Sequence, residues 1–533
     1  MTNVLKLGKI SAVGGLQLFL GKILSTVIMA VGSIVLGILI LEADYGLYAV
    51  ALIPPATILL FQDWGISTAI ARCCAQYRAT NNEESLRKIV ITGLTFEFAS
   101  GIVLTILSLL MSNFLASTVL GKPESGFLVA LVSVTILSTS ISAAASMVFV
   151  GFEKMKYYSI TMISQAFVQS ALAPILVYLG FGALGAVIGY VFGSVVACIF
   201  SVTMLYFVVL RKLKKRETHD LSSAQILRSL LSYGVPLAIG SILGGMLGQF
   251  YSFMLAAFSD NAIIGNYRIA TNFATLLTFF VFPISTVLFP MFSKLDPVRE
   301  KDTLKKVFSS SVKYSSFLLV PAILLMMVLS KPIVGTVFGD KWLDAPFFLT
   351  LCAGTYLIVL FGNLSLNTLL TAVGETRLLM KLNLLDLSIG VPLGFVLVPF
   401  LGIVGVILGN FIAVMPGLFV GLYFIWKRYG FSIDLRASSR ILLASLIAAA
   451  ATYLSTGLLN VTYWLQLTCG VLLFLSVFLL CAPLLGATSL SDLNNLRAMM
   501  SNWGILLKFM QIPMALMEKA LNVRNGHSAK QSQ

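Results

Sequence analysis

The chain has 533 residues, 58% hydrophobic and 11% charged, with a mean hydropathy of +0.96 and a net charge of +15. A soluble domain carries roughly 25% charged residues, so a soluble enzyme or binding module is excluded and an all-α polytopic membrane protein is expected. The basic excess is spread through the chain in a pattern that reads as membrane topology, and no nucleic-acid partner is expected.

Apolar runs of 18 or more residues, each able to cross a hydrocarbon core of about 30 Å, can be laid down about fourteen times. The predicted spans are 13–40, 46–68, 88–112, 126–150, 157–179, 182–210, 232–257, 262–291, 310–337, 345–372, 379–400, 402–426, 439–459 and 463–485. No small-residue cleavage site follows the first run, which reads as a retained spanning helix. Pro54-Pro55 interrupts predicted span 2, Pro236 opens span 7, and Pro283 and Pro290 bracket the inner part of span 8. Each proline marks either a packing kink or a moving hinge.

Alternating the gaps between spans sorts the charges. Arg72, Arg78, Arg87, Lys88, Lys154, Lys156, the run from Arg211 to Arg216, and later clusters fall on one side; Lys122, Lys331 and Lys341 fall on the other. With the termini included, about 30 of the 36 Lys and Arg lie together, which the positive-inside rule makes the cytoplasmic side of a cell membrane. An even span count then leaves both termini cytoplasmic. After the last span, Leu493, Leu496, Met500, Trp503, Leu507 and Met510 recur at heptad spacing, as expected of an interfacial amphipathic helix.

The chain also repeats itself. Leu18-Phe19-Leu20-Gly21-Lys22-Ile23-Leu24 returns 219 positions later as Leu237-Ala238-Ile239-Gly240-Ser241-Ile242-Leu243, Gly46 in ADYGLY matches Gly265 in AIIGNY, and Tyr48 matches Tyr267. GALGAVIGY from Gly182 returns as GIVGVILGN from Gly402. Two six-helix lobes in parallel orientation follow, related by an axis along the membrane normal. The expected organisation is an N-terminal lobe (1–216), a cytoplasmic linker (217–231), a C-terminal lobe (232–430), two extra helices (431–486), and a cytoplasmic amphipathic helix and tail (487–533).

An ionisable side chain in hydrocarbon costs at least about 2.5 kcal/mol, so it normally faces a cavity or a partner. Five qualify: Lys22, Asp63, Glu97, Arg268 and Asp386. Lys22 and Arg268, at different depths, suit two stations for an anionic group, above all a phosphate or diphosphate; the alternative is snorkelling to the headgroups. Asp63, Glu97 and Asp386 suit either a proton or sodium coupling site or structural charge pairing, with Asp63 or Glu97 neutralising Lys22. Amides at Gln17, Gln249, Asn272, Asn363, Asn367, Asn383 and Asn410 suit either sugar hydroxyls or interhelical hydrogen bonds. The six cysteines show no metal spacing and read as small buried hydrophobes; no metal or cofactor is expected.

The runs LEADYGLYAVA and FQDWGISTAIARCCAQY, followed by GFEKMKYYS, YGVPLAIGS, IGNYRIATNF, VLFPMFSKL, VFGDKWLDA and GETRLLMKL, resemble Wzx-type polysaccharide and oligosaccharide flippases of the multidrug/oligosaccharidyl-lipid/polysaccharide (MOP) exporter superfamily. The resemblance covers most of the chain. It implies fourteen helices, two six-helix lobes around a central cavity, and transfer of a lipid-linked glycan from the cytoplasmic to the external leaflet. The related lipid II flippases bind the diphosphate through arginines on helices 1, 2 and 8 and hold the lipid tail at helices 13 and 14. By helix and depth, Lys22 and Arg268 answer two of those arginines, whereas predicted span 2 offers Asp63 and no arginine.

The expected function is therefore flipping of a polyprenyl-phosphate or polyprenyl-diphosphate glycan by a monomer in contact with membrane lipids. An ion-coupled drug or metabolite antiporter of the same superfamily is the alternative, kept open by the three carboxylates. A membrane-embedded enzyme is not expected, because both histidines, His219 and His527, fall on the cytoplasmic side and the outer loops are minimal. A non-transporting scaffold has no feature against it.

Overall fold

A computed structural model describes residues 2–79, 83–213, 222–296, 299–430, 433–458 and 461–490, with 492–493, 514–519 and 521 beyond them. All regular elements among these residues are helical. They fall into two compact units, Met1–Arg268 with Asn383–Ala413 and Ile269–Leu382 with Val414–Gln533. Ten helical stretches among the described residues are long and apolar enough to cross a membrane, or eleven if one bent pair counts as a span. One of the ten, Met155–Lys212, holds 58 residues, about 87 Å of helix at 1.5 Å per residue, and folds back on itself.

In the first unit the helices are α1 (Thr2–Leu39), α2 (Glu42–Leu59), α3 (Ile66–Ala79), α4 (Glu83–Phe114), α5 (Gly126–Gly151), α6 (Met155–Leu176), α7 (Gly182–Val208), α8 (Ser223–Phe258) and the start of α9 (Asn261–Ala274). The turn between α6 and α7 needs positive φ at Gly180 (92°) and Gly182 (48°), and the two helices pack along each other. Helix α1 lies on α6, where Gly21 and Gly32 face Ser159 and Ser170. Those hydroxyls donate to the carbonyls of Gln17 (2.9 Å) and Ile28 (3.0 Å). Small residues and hydroxyls suit this contact, since lipid tails give two helices no hydrophobic reason to associate.

Two proline expectations are corrected. Helix α2 is not interrupted at Pro54-Pro55 but continues to Leu59, and the chain turns at Gln62–Gly65, where Gly65 has φ 75°; predicted span 46–68 is thus divided between α2 and α3. Pro236 does not open its helix. Ser222 and Gln225 form a capping box that starts α8 well before the proline, satisfying the first orphan N–H groups there.

The second unit contains α10 (Thr278–Ser293), α11 (Lys301–Val328), α12 (Ser330–Phe338), α13 (Ala345–Thr355), α14 (Asn363–Val373), α17 (Leu435–Leu458) and α18 (Tyr463–Leu484). Helices α15 (Thr376–Leu401) and α16 (Ile403–Tyr429) contribute to both units. Predicted span 345–372 is not straight: it breaks at Gly362, in the left-handed region with φ 73°, and bends by 56°. The core joins Leu319, Val320 and Ile323 of α11 to Ala444 and Ala448 of α17 and Phe474 and Phe478 of α18.

Beyond α18, Asp492 receives Lys313 Nζ at 2.6 Å, Tyr314 Oη at 3.2 Å, and the Ser489 amide and hydroxyl at 2.8 and 2.6 Å. Leu493 packs with Met514, Met517 and Leu521 against Phe317 and Leu479. The rest of the expected amphipathic helix, Leu496 to Met510, lies outside the described residues. Of the cysteines, Cys74 and Cys352 are buried, but Cys469 is exposed, contrary to expectation, because it lies on a face of α18 that no described helix covers.

Candidate functional site

The first unit places α2 and α9 across each other at the repeat-matched glycines. A Cβ on Gly46 would overlap the Asn261 carbonyl, and one on Gly265 would overlap the Glu42 carbonyl. Asn261 and Glu42 are the first residues of α9 and α2 and are themselves 219 positions apart, so the contact is reciprocal. Polar bonds ring the crossing: Asn266 Nδ2 donates to Glu42 Oε2 at 3.0 Å and Asn261 Nδ2 to Glu124 Oε1 at 3.3 Å.

Two turns into α9, the exposed Arg268 guanidinium acts electrostatically on the hydroxyls of Tyr48 on α2 and Tyr190 on α7. Gln169 of α6 is a polar neighbour of the Tyr48 hydroxyl. Tyr45 stands beside Tyr48 with ring centroids 6.0 Å apart, and its hydroxyl meets Ser33 Oγ of α1 at 3.4 Å. The cluster combines one permanent cation with neutral phenol and amide groups, a donor set that suits a phosphate oxygen.

Lys22 does not join this cluster. It is exposed on α1, on the same face as Thr26, Met29 and Ser33 at 3.6 residues per turn. Thr26 Oγ1 and Ser25 Oγ both donate to its carbonyl, at 2.7 and 2.9 Å. Counted from the α1–α2 turn, Lys22 lies 17 residues below Leu39 and Arg268 lies 7 residues below Asn261, about 26 and 10 Å of helix. The stripe running through Ser33 to Tyr45 connects their two levels.

Asp63 and Glu97 are brought together, but Lys22 is not brought to them. Glu97 is fully buried, and Gln62 Nε2 donates to its Oε2 at 2.7 Å. Asp63 is an electrostatic neighbour of Glu97 and accepts the Ser67 amide at 3.3 Å. Ser67 Oγ lies beside the Glu97 carboxyl, yet neither that hydroxyl nor Glu97 Oε1 has a hydrogen bond of normal geometry. Arg78–Glu153, Lys88–Glu84, Lys313–Asp492 and Arg428–Glu375 are ion pairs among the described residues, whereas Lys22 makes none with Asp63 or Glu97, so the expected neutralisation is absent. The reason is packing: α1 lies along α6, whereas α4 packs on α3, α5 and α8. Asp386 belongs to another element, α15, whose Asn383 and Gly390 pack on Gly244 and Leu247 of α8. Among the described residues no group of three His, Cys, Asp or Glu is arranged to hold a metal ion.

Sequence reasoning missed Tyr45, Gln62, Gln169 and Tyr190 as partners of these groups. Only Tyr48 had a signal, its repeat match to Tyr267.

Residues 12–296 match a family model described as polysaccharide biosynthesis protein. The lipopolysaccharide biosynthesis protein WzxC of Escherichia coli K12 is 26% identical over 418 residues, 74% of this chain and 80% of WzxC. The probable low-salt glycan biosynthesis flippase Agl15 of Haloferax volcanii is 23% identical over 265 residues, 48% of this chain and 55% of its own. Among solved structures, the lipid II flippase MurJ in an inward closed conformation shares the fold with a TM-score of 0.70 and 15% identity, over 87% of this chain and 97% of MurJ. These matches bear out the resemblance to Wzx-type flippases, and the fold is shared with transporters of the MOP superfamily.

Proposed function

Because the chain belongs to the polysaccharide biosynthesis protein family, whose model matches more than half of it, we propose that it moves a polyprenyl-linked glycan across the cytoplasmic membrane by alternating access. It is a multi-pass membrane protein with a MOP-type fold and flippase relatives. In this reading the chain forms two lobes of a fourteen-span arrangement with both termini on the cytoplasmic side, and Lys22 and Arg268 serve as stations for the anionic link.

The observation that carries it is Arg268, exposed and near enough to Tyr48 and Tyr190 to act electrostatically on both hydroxyls. A guanidinium offers a planar fork matched to phosphate, and its attraction for an anion strengthens where water is scarce. Lys22 and Arg268 differ in depth by about 15 Å of helix rise, too far for one phosphate to touch both. They act in succession, Lys22 near the cytoplasmic end and Arg268 near the external end, while the polyprenyl tail stays in lipid. Glu97, with Gln62, Asp63 and Ser67, is the better candidate for a coupling proton or sodium ion in this unit; Asp386 is the other. An ion-coupled drug antiporter is not favoured, since such a carrier of organic cations would place carboxylates, not Arg268, among the tyrosines.

The test is leaflet exchange of a labelled polyprenyl-diphosphate glycan in proteoliposomes, with and without proton or sodium gradients. Absence of exchange for every glycan supplied, under every gradient, contradicts the proposal.

A further inference from the structure

The second unit carries an open cavity of about 450 Å³ beside the break at Gly362, within the range of roughly 300–1,000 Å³ typical of small-molecule sites. Its lining includes Phe289, Tyr356, Asn363, Asn367, Thr368 and Thr371, with aliphatic side chains between them and no ionisable group other than the tyrosine. Asn363, Asn367 and Thr371 are spaced four residues apart, so α14 presents them in one row.

The hydrogen bonds already made define what the row offers. Asn367 Nδ2 donates to Asn363 Oδ1 at 3.2 Å, which leaves the Asn367 carbonyl oxygen as acceptor and the Asn363 amide as donor. Thr371 and Thr368 donate to the carbonyls of Asn367 and Leu364, both at 2.7 Å, so their oxygens remain as acceptors only. The row thus offers one donor, the Asn363 amide, and acceptors at Asn367, Thr368 and Thr371 on an uncharged wall that also includes aromatic side chains. An isoprenoid chain here would strip water from these groups without replacing its hydrogen bonds, which is unfavourable for each polar group buried unpaired. A sugar ring supplies hydroxyls that both donate and accept, and an apolar face for Phe289 or Tyr356.

We infer that this cavity is a subsite for an uncharged sugar residue of the transported glycan. The inference rests on the flippase reading and deepens it by naming, within the second unit, a neutral pocket whose chemistry suits the saccharide.

Thr371→Cys, a small change at an exposed position, reports on occupancy. The full-length variant is treated with an uncharged maleimide, and modification at position 371 is quantified by peptide mass spectrometry. Two probes are compared, a polyprenyl diphosphate carrying an uncharged disaccharide and the same lipid without sugar. The inference expects the glycan-bearing lipid to slow modification at least fivefold and the bare lipid to leave it unchanged. Equal protection by both lipids overturns it, since the pocket would then hold the tail, and so does protection by neither. Flipping of both lipids by the wild-type protein is measured in parallel. Protection without flipping keeps the subsite and defeats the flippase reading; flipping without protection does the reverse. As a second variant, Asn367→Leu should slow flipping of the glycan-bearing lipid about tenfold and that of the bare lipid less than twofold; an equal loss on both overturns the inference.

Discussion

Gly46 and Gly265 lie against each other's helices so closely that a Cβ on either would overlap a backbone carbonyl of the other helix. No rotamer relieves a clash between Cβ and backbone, so a side chain here forces α2 and α9 apart. Gly265→Leu is expected to open this end of the first unit and to slow transport at least tenfold. The check is Tyr45, 2% exposed in this arrangement: modification of Tyr45→Cys by an impermeant maleimide should speed up at least tenfold in the Gly265→Leu background. An unchanged rate would show that the crossing does not close that end.

Gly362 makes a smaller, purely conformational prediction. Its φ of 73° costs a residue with a Cβ about 1–2 kcal/mol, and the nearby Val312 side chain adds steric crowding. Gly362→Ala should lower the thermal midpoint, whereas Gly374→Ala, also in the left-handed region (φ 85°) but with open space around the added Cβ, should lower it less. Equal shifts would mean that Val312 contributes nothing.

Glu97 separates hydrogen bonding from charge. In Glu97→Leu the buried Gln62 amide loses its acceptor, at roughly 1–3 kcal/mol, while Glu97→Gln keeps a carbonyl for it. Thermal melts should therefore rank wild type close to Glu97→Gln and well above Glu97→Leu. If Glu97 couples transport to an ion, Glu97→Gln should also abolish the dependence of exchange on the proton or sodium gradient. A Glu97→Gln protein with wild-type gradient dependence would leave Glu97 a structural group.

Asp492 gives the pH dependence. Burial acts to raise its carboxyl, but hydrogen bonds from Lys313 and Ser489 outweigh burial and hold it below the ordinary carboxylate range. A carboxylate depressed in the folded state stabilises it fully above its unfolded value of about 3.9, and that contribution fades as pH falls through the lower folded value. The midpoint gap between wild type and Asp492→Asn should therefore be wide at pH 6 and narrow at pH 3. A gap that stays constant would mean that the Lys313–Asp492 pair, 2.6 Å apart, adds no net stability.

What the sequence made legible follows from how local each signal is. Membrane class needs only composition, and the repeat shows in short matched words; together they singled out Gly46 and Gly265 before any contact was known. Helix ends were harder. Nothing in the apolar letters around Leu59 marks the end of α2, and the single glycine at 362 looks like many others that sit inside straight helices. Partners were the least legible. Lys22, Asp63 and Glu97 fall at similar depths along their helices, so depth alone pairs them, and only the seating of α1 on α6 separates them. The cavity beside Gly362 depends on the same kind of non-local packing, and one sequence does not encode it as a pattern.

The central claim is that Lys22 and Arg268 carry the anionic link of a lipid-linked glycan in succession. Leaflet exchange of labelled polyprenyl-diphosphate glycan by reconstituted wild type, Lys22→Ala, Arg268→Ala and Arg268→Lys tests it most directly. The account predicts exchange by wild type, losses of at least tenfold in both alanine variants, and partial recovery in Arg268→Lys, which keeps the charge but not the planar fork. Wild-type exchange that survives in both alanine variants would contradict it.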